Sequence, residues 1–146
     1  MKTYFVLFIS IFFLISCKQD EVVSVKDLIR KVWKAQTVRE NSTVVYSITA
    51  TSNIRPTYSK FQLDLRDSEK VVFVDVDGRI VTGTWSLVEE SRIVLQNLMP
   101  APTGTNGTIE FYFTSLPTQA SLELFRSTES KKTGGTRNEY SLIPEN

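Results

Sequence analysis

The chain has 146 residues, with 17 Lys and Arg against 16 Asp and Glu, no His and one Cys. That near-neutral balance argues against the basic stripe that a nucleic-acid surface needs. The missing His removes the commonest general base, the usual nucleophile–base triad and the commonest metal ligand; carboxylate chemistry stays open as an enzymatic route, but no catalytic residue, metal site or cofactor is expected and the chain reads as a non-enzyme.

Residues 1–16 carry the three parts of an export signal: Lys2, an apolar run from Tyr4 to Ile15 broken only by Ser10, and a small residue, Ser16. The run falls short of the roughly 20 residues that a spanning helix needs. Leu14-Ile15-Ser16-Cys17 resembles the lipobox of a bacterial lipoprotein signal peptide. The resemblance implies cleavage before Cys17, a diacylglyceryl group on its sulfur and a further acyl chain on the new N-terminus. More than one chain makes such an anchor stable, at roughly 0.8 kcal/mol per buried methylene. Loss of Lys2 leaves basic and acidic residues equal in number. Acylation of Cys17 also leaves no thiol for a disulfide within the chain. The expected location is the outer membrane, lipid-anchored. Lys18-Gln19-Asp20-Glu21 resembles in part a surface-export tag and equally suits a plain polar tether, so the periplasmic or cell-surface side stays open. The organisation expected is a signal peptide over 1–16, lipidated Cys and tether over 17–23, and one barrel domain over 24–146.

A helix is predicted next, about ten residues long. Ser24 is its N-cap, Asp27 its favoured early carboxylate, and Val25, Leu28, Ile29 and Val32 its apolar face. From Trp33 the period becomes two. Phe61, Leu63 and Leu65 alternate with Gln62, Asp64 and Arg66 over 58–66, and Ile109, Phe111 and Phe113 alternate with Glu110 and Tyr112 over 107–114. Strands are predicted there and over 34–40, 43–50, 70–76, 80–88, 91–97, 119–126 and 136–142. Asp77-Gly78 predicts a two-residue type I′ hairpin. Residues 97–106, with two Pro and a Gly, predict a longer loop.

One short helix followed by eight or nine meandering strands predicts an all-β fold. Closing the strands into an antiparallel up-and-down eight-stranded barrel, possibly nine-stranded by segment count, covers every apolar face and leaves no open edge. A sandwich is the alternative.

The residues in order resemble the lipocalin-like lipoproteins of some Gram-negative bacteria. The resemblance runs through Trp33, Tyr58-Ser59-Lys60-Phe61, Asp77-Gly78, Gly83-Thr84-Trp85-Ser86-Leu87, Pro102-Thr103-Gly104-Thr105 and Lys132-Thr133-Gly134 to Tyr140 and Pro144. It implies a small antiparallel barrel tethered to a membrane, and no particular activity. Lys31-Val32 before Trp33 departs from the Gly-x-Trp of true lipocalins.

Two functional readings follow. In the first, the barrel binds a small apolar or amphipathic ligand, touched by Trp33, Phe61, Trp85, Phe111 and, at a gate over 97–106, Leu98 and Met99. In the second, the same bulky residues fill the barrel, which then serves as a structural or interaction module for an envelope partner. Asp75-Val76-Asp77-Gly78 lacks the later ligands of a calcium loop and reads as a turn. Glu89-Glu90 reads as a solvated turn.

Overall fold

A computed structural model describes residues 23–145. The predicted signal peptide, Cys17 and most of the predicted tether lie outside the described residues. The elements are α1 (Val25–Ile29), β1 (Val32–Glu40), β2 (Thr43–Ser47), β3 (Gln62–Asp64), β4 (Lys70–Val74), β5 (Ile80–Val88), β6 (Arg92–Met99), β7 (Ile109–Phe113), β8 (Leu122–Arg126) and β9 (Asn138–Pro144). Short 3-10 turns span Pro56–Lys60 and Lys131–Thr133.

All pairings are antiparallel between neighbours, and β9 returns to pair with β1 from Trp33 to Glu40, which closes the ring. The other edge of β1 is shared. Its first residues pair with β3 and its last with β2. The two short segments thus lie end to end and fill one strand position, so nine segments make an eight-position barrel with the antiparallel up-and-down topology expected.

The segment between β2 and β3 corrects the sequence reading. The alternation over 58–66 predicts a continuous strand, but Pro56 starts a 3-10 turn and only Gln62–Asp64 joins the ladder. Phe61, Leu63 and Leu65 are nonetheless buried. Alternation reports which side chains face inward; it does not require ladder bonds. Beside β2, Asn53 replaces a strand: its Oδ1 accepts from Ser47 N–H at 2.7 Å and its Nδ2 donates to Ser47 O at 3.1 Å. Arg55 N–H donates to Val45 O at 2.9 Å. Three backbone groups on the edge of β2 are thereby satisfied without a partner strand.

Three further expectations change. The helix has five residues rather than about ten. Ser24 Oγ does accept from Asp27 N–H at 3.1 Å, but Val32 and Trp33 are taken into pairs with Asp64 and Leu63. Strand β6 runs on to Met99, so the loop predicted from residue 97 starts three residues later, at Pro100. The left-handed hairpin residues are Asn41-Ser42, at φ 47° and 69°, and Glu89-Glu90, at φ 50° and 52°. At Asp77-Gly78 only Gly78 is left-handed, at φ 72°, and Gly78 N–H closes a turn onto Asp75 O.

The interior is packed from the α1 end to the middle by aromatic rings. Phe61 stacks on Tyr140 at 4.9 Å between centroids and meets Phe73 edge-on at 5.7 Å. Phe111 meets Phe73 at 6.0 Å and Tyr140 at 5.7 Å. Such pairs add about 0.5–1.5 kcal/mol each beyond their buried area. Of the alternating residues read as inward, only Leu87 and Phe113 are partly buried, at the margin of this core.

Candidate functional site at the polar end of the barrel

The two ends of the barrel differ in chemistry. Under α1 the end is apolar: Trp33 and Trp85 are buried beside Ile29 and Val71. Trp33 Nε1–H donates to Ile29 O at 2.8 Å and Trp85 Nε1–H to Asp67 O at 2.8 Å. Both indole donors, which burial would otherwise leave costly, are satisfied by backbone.

At the opposite end the inward positions turn polar. Glu40 follows Val38 in β1, Arg126 follows Leu124 in β8, and Asn138 precedes Tyr140 in β9, each in the buried phase of its strand. Asp75, just past β4, is buried with them. Six residues close a ring of hydrogen bonds. Tyr58 Oη–H donates to Glu40 Oε1 at 2.9 Å, and Arg55 Nε–H donates to Glu40 Oε2 at 2.7 Å. Arg55 Nη2 donates to Thr133 O at 3.3 Å, and the hydroxyls of Thr133 and Thr136 are paired. Thr136 Oγ1–H donates to Asn138 Oδ1 at 2.6 Å, and Asn138 Nδ2 returns to Tyr58 Oη at 3.2 Å. Asn138 Nδ2 also reaches Tyr140 Oη at 3.2 Å. Burial, with Tyr140 and Glu40 close by, pushes the Tyr58 hydroxyl far above the ordinary phenol range; burial and the nearby Asp75 carboxylate push Tyr140 up as well. Both rings stay neutral.

A chain of charges runs alongside. Arg126 Nη1 lies 3.6 Å from Asp75 Oδ2, Lys132 Nζ lies 3.6 Å from the same oxygen, and Lys132 Nζ lies 2.9 Å from Asp77 Oδ2. Arg126 and Asp75 are each 2% exposed. Asp75 Oδ2, Arg126 Nε and Nη1, and Ser130 Oγ are buried with no hydrogen-bond partner among the described residues. Two of these, Asp75 Oδ2 and Arg126 Nη1, face each other in the long ion pair; Arg126 Nε and Ser130 Oγ have no partner of either kind among the described residues, although buried polar groups are nearly always satisfied.

Five of the six residues suggested for ligand contact share one packed core. Trp33, Phe61, Trp85, Leu98 and Phe111 are buried in the packed interior, while Met99 is 68% exposed on the outer wall. The sequence reading missed the polar cluster, although its signal was present as charged or amide residues continuing the inward phase of β1, β8 and β9. On the outer wall, clefts of about 440 Å³ and 430 Å³ adjoin at Lys70, Val71 and Val72. The second is bordered by Gly83, Asn97 and Met99. Among the described residues no cluster of His, Cys, Asp or Glu has a metal-binding arrangement, and no helix is long and apolar enough to cross a membrane.

No family model matches the chain, and no curated protein matches it. Among solved structures it is similar to a lipocalin-like protein from Bacteroides uniformis ATCC 8492, at 13% sequence identity, covering 81% of this chain and 99% of that one, with a TM-score of 0.49. The barrel described above rests on its own strand pairing rather than on that likeness.

Proposed function

We propose that this chain is a lipid-anchored envelope barrel that acts by holding a small molecule, and that the molecule's polar group seats at the end formed by Arg126, Asp75 and Ser130. The single observation that carries this is a set of four buried polar atoms on those residues that lack a hydrogen-bond partner among the described residues, two of them meeting only in a long ion pair. Interlocked rings of Phe61, Phe73, Phe111 and Tyr140 occupy the middle of the barrel. That packing speaks against a wholly apolar guest and favours the amphipathic half of the sequence expectation. The lipobox ending in Cys17 supports the anchor and an outer-membrane location.

The alternative, an interaction module for an envelope protein, is favoured by a different feature. Ile80 and Met99 are 64% and 68% exposed on the same outer wall, and Met99 borders the cleft floored by Val72 and Gly83. Native mass spectrometry of the full acylated protein from its own envelope separates the readings. A retained small molecule supports ligand binding, a retained protein supports the interaction module, and bare protein in every preparation counts against both. Cys17→Ser tests the anchor separately: it should release the protein from the membrane fraction with its fold intact, and retention in that fraction would overturn lipidation as the means of attachment.

A further inference from the structure

We infer that the polar end recognises an uncharged, hydroxyl-bearing group, such as a polyol or one edge of a saccharide, and that residues 127–137 form the strap beneath which it enters. The inference rests on the small-molecule reading above and adds the chemistry of the ligand.

The orphaned atoms define that chemistry. Arg126 Nε and Nη1 can only donate, Asp75 Oδ2 can only accept while ionised, and Ser130 Oγ can do either. A hydroxyl oxygen accepts from the guanidinium and donates to the carboxylate through one atom. Charge argues the same way. Arg126 and Lys132 face Asp75 and Asp77, and Arg55 faces Glu40, so the cluster is balanced. A carboxylate or phosphate would enter beside Asp75 and Glu40; an ammonium would enter beside Arg126 and Lys132. Either would lie against like charge in a site of low dielectric. A neutral hydroxyl meets neither penalty.

The strap joins β8 to β9 and is attached chiefly by polar contacts. Lys132 reaches Asp77, Arg55 reaches Thr133 O, and Thr136 reaches Asn138. Its own bridge pairs Ser130 with Thr136. Gly134 and Gly135 are both left-handed, at φ 89° and 80°, and a Cβ on Gly134 would meet nothing within 4 Å. Water can replace polar latches one at a time as a segment lifts, unlike the apolar packing of the Trp33 end, so the strap belongs to the readily opened part of the fold. Ser130, one of the four orphaned atoms, moves with it.

The test is a side-chain NMR titration of the full acylated protein in a sugar-free zwitterionic detergent, reading the Arg126 Nε–H resonance. The probes are glycerol, D-glucose, N-acetylglucosamine, sodium acetate and methylammonium chloride. The expected result is a saturable shift with at least one hydroxyl probe and none with the two ions. In Ser130→Ala the affinity for that probe should fall about tenfold, the scale of one lost hydrogen bond, while the backbone spectrum stays folded. Response to acetate or methylammonium but to no hydroxyl probe would overturn the hydroxyl assignment and leave the small-molecule reading standing. No response to any probe, with cross-relaxation only to a long-lived internal water, would overturn both. An unchanged affinity in folded Ser130→Ala would overturn the placement at this end.

Discussion

Tyr58 donates its hydroxyl to Glu40 Oε1 at 2.9 Å, joining a 3-10 turn to the last residue of the first barrel strand. The same hydroxyl oxygen accepts from Asn138 Nδ2, so one phenol serves a carboxylate and an amide inside the barrel. Tyr58→Phe removes both bonds and leaves the ring packing against Tyr46 and Tyr140 in place. Hydrogen bonds to charged groups contribute about 1.5–3 kcal/mol. Urea unfolding should therefore show a loss of about 2 kcal/mol for Tyr58→Phe. Tyr140→Phe gives up the bond from Asn138 and no contact to a carboxylate, and should lose less.

Arg126 and Asp75 make the opposite kind of contact, a buried ion pair at 3.6 Å whose facing atoms lack ideal partners. Desolvation of such a pair is repaid only by good geometry. Removing Arg126 leaves Asp75 Oδ2 with Lys132 alone, also at 3.6 Å, so Arg126→Met should cost about 3 kcal/mol, the low end for breaking a buried pair. The double variant Asp75→Leu with Arg126→Met should recover most of that loss. A double-mutant cycle by urea unfolding reads the coupling, and strictly additive losses would show that the pair is not coupled.

The apolar half of the fold was legible in the sequence and the polar half was not. Phe61, Leu63, Leu65, Ile109, Phe111, Leu122 and Leu124 alternate with polar residues, and all are buried, because a period of two fixes which face each side chain takes. Alternation could not show that Pro56–Lys60 leaves the ladder, since a 3-10 turn delivering Phe61 inward preserves the phase. The polar end was hidden for a related reason. Glu40, Arg126 and Asn138 stand at the ends of apolar alternations, where a charged or amide residue normally signals that a strand has emerged into solvent. Asp75 was absorbed by its turn, whose backbone it does help to close, while its side chain points to Arg126. Only the return of β9 onto β1 brings these residues together.

Stability should fall away at both extremes of pH, for separate reasons. Burial alone would raise the Asp77 carboxyl, but the hydrogen bonds from Lys132 Nζ and Arg79 N–H outweigh it and hold it below the usual carboxylate range. Arg66 does the same for Asp64. A depressed carboxylate adds stability above its unfolded pKa of about 3.9, and that contribution is lost as pH falls through the lower folded value. Tyr58 and Tyr140 are shifted upward. Their contribution is complete below the unfolded phenol value of about 10 and is lost as pH rises beyond it. Melting curves should decline below about pH 4 and above about pH 10. Asp77→Asn should soften the acid decline alone. Phenolate absorbance of Tyr58 and Tyr140 should appear only with unfolding; its appearance in the folded barrel would contradict their burial.

The hairpin joining β1 to β2 carries avoidable strain. Ser42 sits at φ 69° with an exposed side chain, in a region where a Cβ is unfavourable and Gly is not. Its neighbour Asn41 is also left-handed, but its Oδ1 accepts from Arg137 N–H at 2.9 Å and should be kept. Ser42→Gly gives the Asn-Gly pair that type I′ turns favour and should raise stability by about 0.5–1 kcal/mol. Asn41→Gly should gain less or lose, because it forfeits the tie to Arg137.

Gly83 gives the converse case, a position where Gly is required by proximity rather than by φ. The β5–β6 register shifts between Thr82 and Thr84, and the bulge, with Asn97 at φ 53°, pushes backbone toward Gly83. A Cβ there would collide with Gln96 O and lie 3.1 Å from Asn97 O and 3.0 Å from a methyl of Leu98. Two of those three neighbours are backbone, and Leu98 is fully buried, so none can swing aside as a flexible surface side chain would. Gly83→Ala should cost about 1–3 kcal/mol, as overpacking does. Thr82→Ala, exposed on the outer wall next door, should stay within about 0.5 kcal/mol of the parent. The comparison by urea unfolding is decisive because both changes alter the same short stretch of β5. Equal, small effects would show that the strands separate there without cost. A loss confined to Gly83→Ala would show that the bulge is held by close backbone contact, and that the Val72–Met99 cleft beside it is a fixed feature of the wall.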